Sequence, residues 1–180
     1  MSRVGSRPVS IPPGVEVIIR ENHVSVNGPK GSLMQIFHPS ITVSKEDEVL
    51  KVSRPSNERE HRSLHGLTRA LLANMVTGVA QGFQKSLDLV GVGYRVQQMG
   101  DNLQLQVGFS HTVEIVPLPG IKFSVEGNNR INIQGVDKQL VGETAARIRR
   151  IRPPNSYTGK GIKYSYEQPK LKAGKSAKRT

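Results

Sequence analysis

The 180-residue chain contains no cysteine and no long apolar run. Without cysteine it has no disulfide, no thiolate metal ligand and no cysteine nucleophile, which fits a reducing compartment. No stretch approaches the ~18 consecutive apolar residues that a membrane-spanning helix needs. The basic start, MSRVGSRPVS, is followed by IPPGVEV rather than by an apolar signal region. We therefore expect a soluble, unexported protein of the cytoplasm or of an organelle.

Acidic residues are nearly absent from the last fifth of the chain. Residues 145–180 hold eleven Lys/Arg and one Asp/Glu, whereas residues 1–82 hold ten against seven and residues 83–144 hold five against six. The net charge of +12 is thus concentrated at one end. An excess of this size favours a polyanionic partner. The distribution predicts a near-neutral body with a cationic C-terminal arm, the name used below for residues 153–180.

The composition can support a real hydrophobic core, since 36% of the residues are hydrophobic and 22% are charged. One pattern occurs twice: a short strand, a turn, a second strand, a polar stretch and a helix, at residues 41–72 and again at 121–148. Matching positions are offset by 80 at Ile41/Ile121, by 81 at Leu50/Ile131 and by 76 at Gly66/Gly142. Small shifts that fall in turns are what a diverged duplication would leave.

Alternating strands followed by one helix in each half predict an α+β fold made of two tandem duplicated domains. Each would be a small, mainly antiparallel sheet assembly packed with one helix. We expect the first domain at 1–82, the second at 83–172 and a basic disordered tail at 173–180. The predicted strands are 15–19, 24–26, 41–43, 50–52, 87–96, 103–107, 113–116, 122–125 and 131–133.

The first helix should follow the capping stretch 55–57, and the second should start at Asp137. The expected inner face of the first helix is Leu64, Leu67, Leu71, Met75 and Val79, and that of the second is Leu140, Thr144, Ile148 and Ile151. The glycines of 91–96 are expected to relieve a bend within one long strand.

Catalytic, cofactor and metal motifs fail on inspection. AGKS at 173–176 lacks the first glycine of a phosphate-binding loop and a helix after it, and the glycines at 91–96 lack the third glycine and the βαβ unit of a dinucleotide site. His61 and His65 are four residues apart, but no third ligand is suggested and nearby arginines would repel a cation. We favour structural or capping roles for both. GFSH at 108–111 is no nucleophile elbow, and His111 is expected in a turn. The sequence thus suggests no enzyme, no cofactor and no small-molecule substrate.

Cations and tyrosines alternate through the arm. Tyr157, Tyr164 and Tyr166 are three of the four tyrosines of the protein, and such rings can stack on unpaired bases. Gly159 and Gly161 could let backbone amides approach phosphates. The alternation over 162–166 predicts a last strand that pairs with the second domain. Three other interpretations remain open: a solvated tail kept for solubility, a phosphate clamp of an enzyme, and a nucleic-acid chaperone without a fixed site.

Ordered motifs along the chain resemble the bacterial-type family of large-subunit ribosomal protein number six. They are MSRVGSRP at 1–8, GPKG at 28–31, HRSLHGLTR at 61–69, GVGYR at 91–95, GFSH at 108–111, GVDKQ at 135–139 and GKGIKY at 159–164. The resemblance implies duplicated α+β domains without enzymatic activity. It also implies binding to 23S-type rRNA near the factor-binding region, with neighbouring large-subunit ribosomal proteins as further partners.

The resemblance, together with the charge pattern, places the rRNA-binding role on the second domain and the arm. The predicted contact residues are Arg149, Arg150, Arg152, Tyr157, Gly159, Lys160, Gly161, Lys163, Tyr164, Lys170, Lys172 and Lys175. One local difference stands out: Asn155-Ser156 replaces the Glu-Pro pair that is common in the family, and Thr158 replaces a lysine.

Overall fold

The structure, a computed structural model, describes residues 4–174. These residues form thirteen strands in four sheets and two α-helices. The described chain divides into two compact units: residues 4–83 together with Val136–Lys138, and residues 84–135 together with 139–174. The chain therefore returns briefly to the first unit before it completes the second.

The first unit contains two three-stranded sheets. Their strands are β1 (Val9–Ser10), β2 (Glu16–Arg20), β3 (His23–Gly28), β4 (Gly31–Ile36), β5 (Thr42–Glu46) and β6 (Val49–Ser53). One sheet has the order β2-β3-β4 and the other has the order β1-β6-β5, with antiparallel pairing throughout. Two-residue turns join β2 to β3, β3 to β4 and β5 to β6, and these turns fix the register of the three strand pairs.

A long helix, α1 (Arg59–Gln81), closes the core of the first unit by packing on β1, β3, β4 and β6. The buried cluster consists of Val9, Ile11, Val17, Val24, Val26, Phe37, Leu50, Leu72, Met75, Val76 and Val79. Val136 packs against this cluster from outside the helix. Burial of such side chains supplies the main favourable free energy of folding, about 1.5–3 kcal/mol for each large one.

The second unit repeats this plan and adds one strand. Its strands are β7 (Phe83–Val90), β8 (Arg95–Met99), β9 (Asn102–Gln106), β10 (Val113–Ile115), β11 (Ile121–Glu126), β12 (Arg130–Gly135) and β13 (Gly161–Tyr164), and its helix is α2 (Lys138–Ile151). The sheets have the orders β10-β9-β8 and β11-β12-β7-β13. Strand for strand, β7–β12 and α2 therefore match β1–β6 and α1, and β13 is the addition.

The predicted fold class is confirmed: two α+β units of duplicated origin, each with small antiparallel sheets and one helix. The predicted last strand is also confirmed, because β13 pairs antiparallel with β7, with Ile162 opposite Leu89. Ile162 is fully buried. The domain boundary at residue 82 stays a prediction.

Two sequence-based predictions of elements, the single strand at 87–96 and the side-chain cap of the first helix, were wrong, and the strands β1 and β4 were missed. The expected single strand at 87–96 ends at Val90, and the chain turns over 91–94 before β8 joins a different sheet. The strand β4 was missed, because its side chains are largely exposed and show no apolar alternation. In addition, α1 begins at Arg59 with no side-chain cap, although the Ser56 Oγ within the expected capping stretch accepts the Glu58 N–H at 3.2 Å.

The buried faces of the helices also differ from the predicted ones. In α1, His65, Thr68 and Leu72 are buried, whereas Leu67 is 54% exposed. Met75 and Val79 are buried as expected. In α2, which begins at Lys138 rather than at Asp137, the buried residues are Val141, Thr144, Ala145 and Ile148. The buried stripe of α1 is thus rotated by one residue from its leucines, toward Thr68 and toward His65, whose ring contacts the Val52 carbonyl.

Candidate nucleic-acid interface

The end of α2 is tied to the arm by an ion pair. Arg149 donates from Nε to Glu167 Oε2 at 2.9 Å and from a terminal guanidinium nitrogen to Oε1. The Tyr164 N–H also donates to Glu167 Oε2, at 3.2 Å. The hydrogen bond from Arg149 lowers the pKa of Glu167, and the same contact raises the pKa of Arg149. Arg149, predicted as an RNA contact, is therefore largely committed to holding the arm.

The two following arginines of the set face solvent. Arg150 is exposed in the last turn of α2. Arg152 is exposed as well, but two contacts orient its side chain. Its Nε donates to Tyr94 Oη at 3.4 Å, and its guanidinium lies 5.3 Å from the centroid of the Phe109 ring. Cations near the C-terminal end of a helix interact favourably with the helix dipole. Arg150 and Arg152 give α2 a positively charged, solvent-exposed C-terminal end.

The loop after α2 is organised by Asn155. Its Oδ1 accepts the N–H groups of Tyr157 at 2.7 Å and Thr158 at 3.2 Å, the pattern of an Asx turn. Its own N–H donates to the Lys160 carbonyl and its carbonyl accepts the Gly159 N–H, both at 2.8 Å. Asn155 therefore fixes the loop through its side chain and its backbone.

The two glycines of the GKG motif allow the loop to fold against itself. The Gly159 N–H is donated to the Asn155 carbonyl. Gly161 is buried with φ +145°, and a Cβ there would lie 2.6 Å from the Pro153 carbonyl oxygen. Both glycines thus have a structural role in the loop, and their role as RNA contacts stays a prediction.

The arm folds back after β13. The Lys172 N–H donates to the Ser156 carbonyl at 2.8 Å, and Leu171 lies against Gly159. Lys160, Lys170 and Lys172 are exposed. The three lysines thus belong to backbone segments that are pinned by hydrogen bonds near the loop, while their ammonium groups stay in solvent. Lys175 lies outside the described residues, as does most of the predicted tail.

The three tyrosines of the arm differ in their contacts and in their exposure. Tyr164 and Tyr166 stack with ring centroids 5.3 Å apart and planes 11° apart. Lys85 Nζ lies 5.0 Å from the Tyr164 centroid and the Arg149 guanidinium 5.7 Å. Tyr164 is thus already engaged, whereas Tyr166 is 71% exposed and Tyr157 is 58% exposed. Exposed rings among cations can stack on bases or riboses.

Lys163 has mixed surroundings. It is half-buried on β13 directly opposite Asp88 of β7, and Asp88 accepts a hydrogen bond from Arg130 Nε at 2.8 Å. Lys163 and these two residues line a shallow cleft of about 310 Å³ with Glu126. The two carboxylates offset part of the local positive charge, so Lys163 is a weaker candidate for phosphate binding than the exposed lysines.

Two residues that position this surface were not predicted from the sequence. Tyr94 orients Arg152, and Lys85 lies over Tyr164. Glu167 was noticed only as the one acid of the arm. Charge and spacing carry no information on these partnerships, because they depend on which strand lies beside β13. The GVGYR motif, which contains Tyr94, was the only signal that could have drawn attention to one of them.

The two histidines considered as metal ligands have structural partners. His65 is buried, with Nε2 2.9 Å from the Val52 carbonyl and Nδ1 3.2 Å from an Arg54 nitrogen. His61 Nδ1 lies 2.7 Å from Ser56 Oγ. Within residues 4–174, no group of three or more metal-ligating side chains could hold an ion. Over the same residues, no helix is long and apolar enough to cross a bilayer.

Comparison with known sequences identifies the family. The family described as ribosomal protein L6 matches residues 11–82 and 90–165, so it covers both units and ends just after β13. The chain is 55% identical over 176 residues to the large ribosomal subunit protein uL6 of Syntrophomonas wolfei, covering 98% of each chain. It is 56% identical over 178 residues to the protein of the same name from Synechococcus sp. (strain JA-3-3Ab), covering 99% of this chain and 98% of that one.

A third relative, the uL6 protein of Moorella thermoacetica, is 54% identical over 176 residues, 98% of this chain and 96% of that protein. Matches of this strength span both units and most of the arm, and the resemblance inferred from the motifs is confirmed. The chain belongs to the ribosomal protein L6 family.

Proposed function

We propose that the chain binds 23S-type rRNA of the large ribosomal subunit near the factor-binding region, through the arm and the end of α2, and stabilises the folded rRNA. As a member of the ribosomal protein L6 family it is a structural component of the ribosome and not an enzyme. The named relatives are large-subunit proteins. Ribosome association, and neighbouring large-subunit proteins as partners, follow from the same proposal.

One observation carries the proposal. The segment 149–172 has a fixed structure, and five of its seven Lys/Arg and two of its tyrosine rings remain exposed. The β13–β7 ladder holds the segment on the rest of the second unit, and the Arg149–Glu167 pair and the Lys172-to-Ser156 hydrogen bond join parts of the segment to each other. A pinned cationic surface loses less conformational entropy on binding than a free tail does.

The proposed contact set consists of the exposed cations and exposed rings: Arg150, Arg152, Tyr157, Lys160, Tyr166, Lys170 and Lys172. Phosphate contacts from the lysines and arginines would supply most of the affinity by releasing condensed counterions. Tyr157 and Tyr166 would add stacking on unpaired bases. In this proposal Arg149 and Gly161 position the contact residues instead of touching RNA, and Lys163 and Tyr164 contribute less than the sequence suggested.

The test neutralises lysines without removing a strand. Deletion of the whole arm would also remove β13 and its buried Ile162, so a loss of binding could reflect unfolding. We therefore choose the triple variant Lys160→Gln, Lys170→Gln, Lys172→Gln. If each lysine contacts one phosphate, the log–log salt slope of binding to large-subunit rRNA should flatten by roughly 2–3 units.

The matched control is Lys30→Gln, Lys45→Gln, Lys122→Gln, which removes three exposed lysines outside the arm and gives the same net charge. Its slope should change by less than about one unit. Equal flattening in both variants would contradict the proposed site and indicate a general charge effect. Equal affinity of the wild-type chain for large-subunit rRNA and for an unrelated RNA of the same length would favour a general RNA chaperone instead.

A further inference from the structure

One sheet of the first unit exposes apolar side chains on its outer face. In the β2-β3-β4 ladder, Ile18, Ser25 and Met34 form one cross-strand row, and Arg20, His23 and Ile36 form the next. Ile18 is 38% exposed, Met34 69% and Ile36 61%. Because alternate residues of a strand point to the same side, these side chains share the face opposite the core. We call these six residues the sheet face.

The duplication provides an internal control for this surface. In the β8-β9-β10 sheet of the second unit, the row at the same register is Gln97, Gln104 and Glu114. Val17 and Val96, the buried neighbours of Ile18 and Gln97, correspond in the same way. The same ladder therefore forms with a fully polar row at this register, whereas in the next row Met99, at the position of Arg20, is 56% exposed. Contiguous exposed apolar residues of this kind mark interaction sites.

The charged residues around the sheet face indicate which class of partner it could bind. The apolar row lies between Arg20 and His23 on one side and Glu16 on the other, and Glu21 occupies the adjoining turn. The surroundings thus carry no excess positive charge with which to hold a polyphosphate. An apolar centre within a polar rim of both signs is the composition of a protein–protein interface.

We propose that the sheet face docks against a neighbouring protein of the large ribosomal subunit. The partner would present apolar side chains to Ile18, Met34 and Ile36 and an acidic group to Arg20 and His23. This inference rests on the proposed function, because it places the chain inside the subunit. It assigns the two units different tasks: the second unit contacts RNA and the first contacts protein.

The decisive variant transplants the polar row of the second unit into the first: Ile18→Gln, Ser25→Gln, Met34→Glu. The matched control is Met99→Gln, which removes an exposed apolar side chain from the equivalent sheet of the second unit. We expect the triple variant to be released from salt-washed large subunits about tenfold more readily than wild type, the effect of losing central interface side chains. Its melting temperature and rRNA affinity should match those of the control.

A photo-crosslinking residue at position 34 identifies the occupant, with the same residue at position 114 as reference. A crosslink from position 34 to a peptide of another large-subunit protein, in excess over position 114, supports the inference. A crosslink from position 34 to rRNA, or between two copies of the free chain, would overturn it, as would no excess over position 114. Failure of the wild-type chain to enter large subunits would overturn the proposed function as well, so the two failures are distinguishable.

Discussion

At the scale of single residues, Glu167 is the acid that holds the cationic arm in place. Its pKa is lowered chiefly by the hydrogen bond from Arg149. The stabilisation is therefore present above the unfolded pKa of about 4.3 and is lost as the pH falls through the lower folded pKa. We expect Glu167→Gln to lower the free energy of unfolding by about 1 kcal/mol near neutral pH, because the pair is only partly exposed.

Urea denaturation of both proteins, near neutral pH and at a series of lower pH values below the unfolded pKa of Glu167, measures this effect. The wild-type and variant curves should converge as the pH falls through the lowered folded pKa, where the wild-type carboxylate becomes protonated too. Glu46→Gln is the control, since the side chains of Glu46 and its partner Lys51 are both more than half exposed; its effect should be near zero. A difference that persists unchanged in acid would show that the glutamate acts through packing and not through its charge.

The contact partners of individual side chains could not be predicted from the sequence. The positions of the cations could be predicted from the sequence, because charge is a property of each residue. Their availability could not, because it depends on the fold: Arg149 is paired with Glu167, whereas Arg150 is exposed. In the same way His65 could be judged a poor metal ligand, but the Val52 carbonyl that allows its burial lies on β6.

At the scale of elements, the start of β13 depends on close packing of Gly161 against Pro153 and Pro154. A Cβ at Gly161 would lie 2.6–2.7 Å from backbone atoms of both prolines, and φ there is +145°. We expect Gly161→Ala to destabilise the protein by about 2–4 kcal/mol, combining strain with a steric clash. Chemical denaturation, followed by the tyrosine signal of the arm, measures the loss.

The control for that substitution is Gly142→Ala in α2. Nothing lies within 4 Å of a Cβ at Gly142, and alanine in a helix interior is favoured over glycine by about 0.8–1 kcal/mol. This variant should be as stable as wild type or more stable. A Gly161→Ala variant as stable as the Gly142→Ala variant would indicate that the loop can shift, and the proposed rigid presentation of Lys160 would then fail.

Which elements could be predicted follows from the strength of their periodicity. β3, with Val24 and Val26 buried in alternation, was clear from the sequence, whereas β4 was missed because its residues are mostly solvated. The helices were found, but their buried faces were misplaced. Hydropathy ranks Leu67 above Thr68, yet Thr68 is the buried one, because the face of α1 is set by the sheets against which it packs.

At the scale of the whole molecule, the duplication explains why so much of the architecture was visible. Because the same pattern of strands and one helix occurs twice, each copy supports the assignment of the elements in the other. The two copies differ in the excess positive charge of the last fifth of the chain. Among the described residues, the cations that make this difference lie at the end of α2, on the added strand β13 and in its flanking loops. The return of Val136–Lys138 to the first unit was invisible to the sequence, because nothing in GVDKQ distinguishes a linker from a piece of core.

That return makes the domain boundary at residue 82 testable. Val136 packs on the first core, and Lys138 donates to Asn74 at 3.2 Å and lies 5.7 Å from the Phe83 ring. A fragment of residues 1–83 loses these contacts, so we expect it to be less stable than the same unit in the full chain by about 1–3 kcal/mol. Native-state hydrogen exchange of the α1 amides measures the stability of the unit in the fragment and in the full chain.

The full-length variant Val136→Ala should show a smaller loss of stability of the same sign, because it keeps Lys138. Equal protection in all three proteins would mean that residues 136–138 contribute nothing, and that the first unit ends where the sequence placed its boundary.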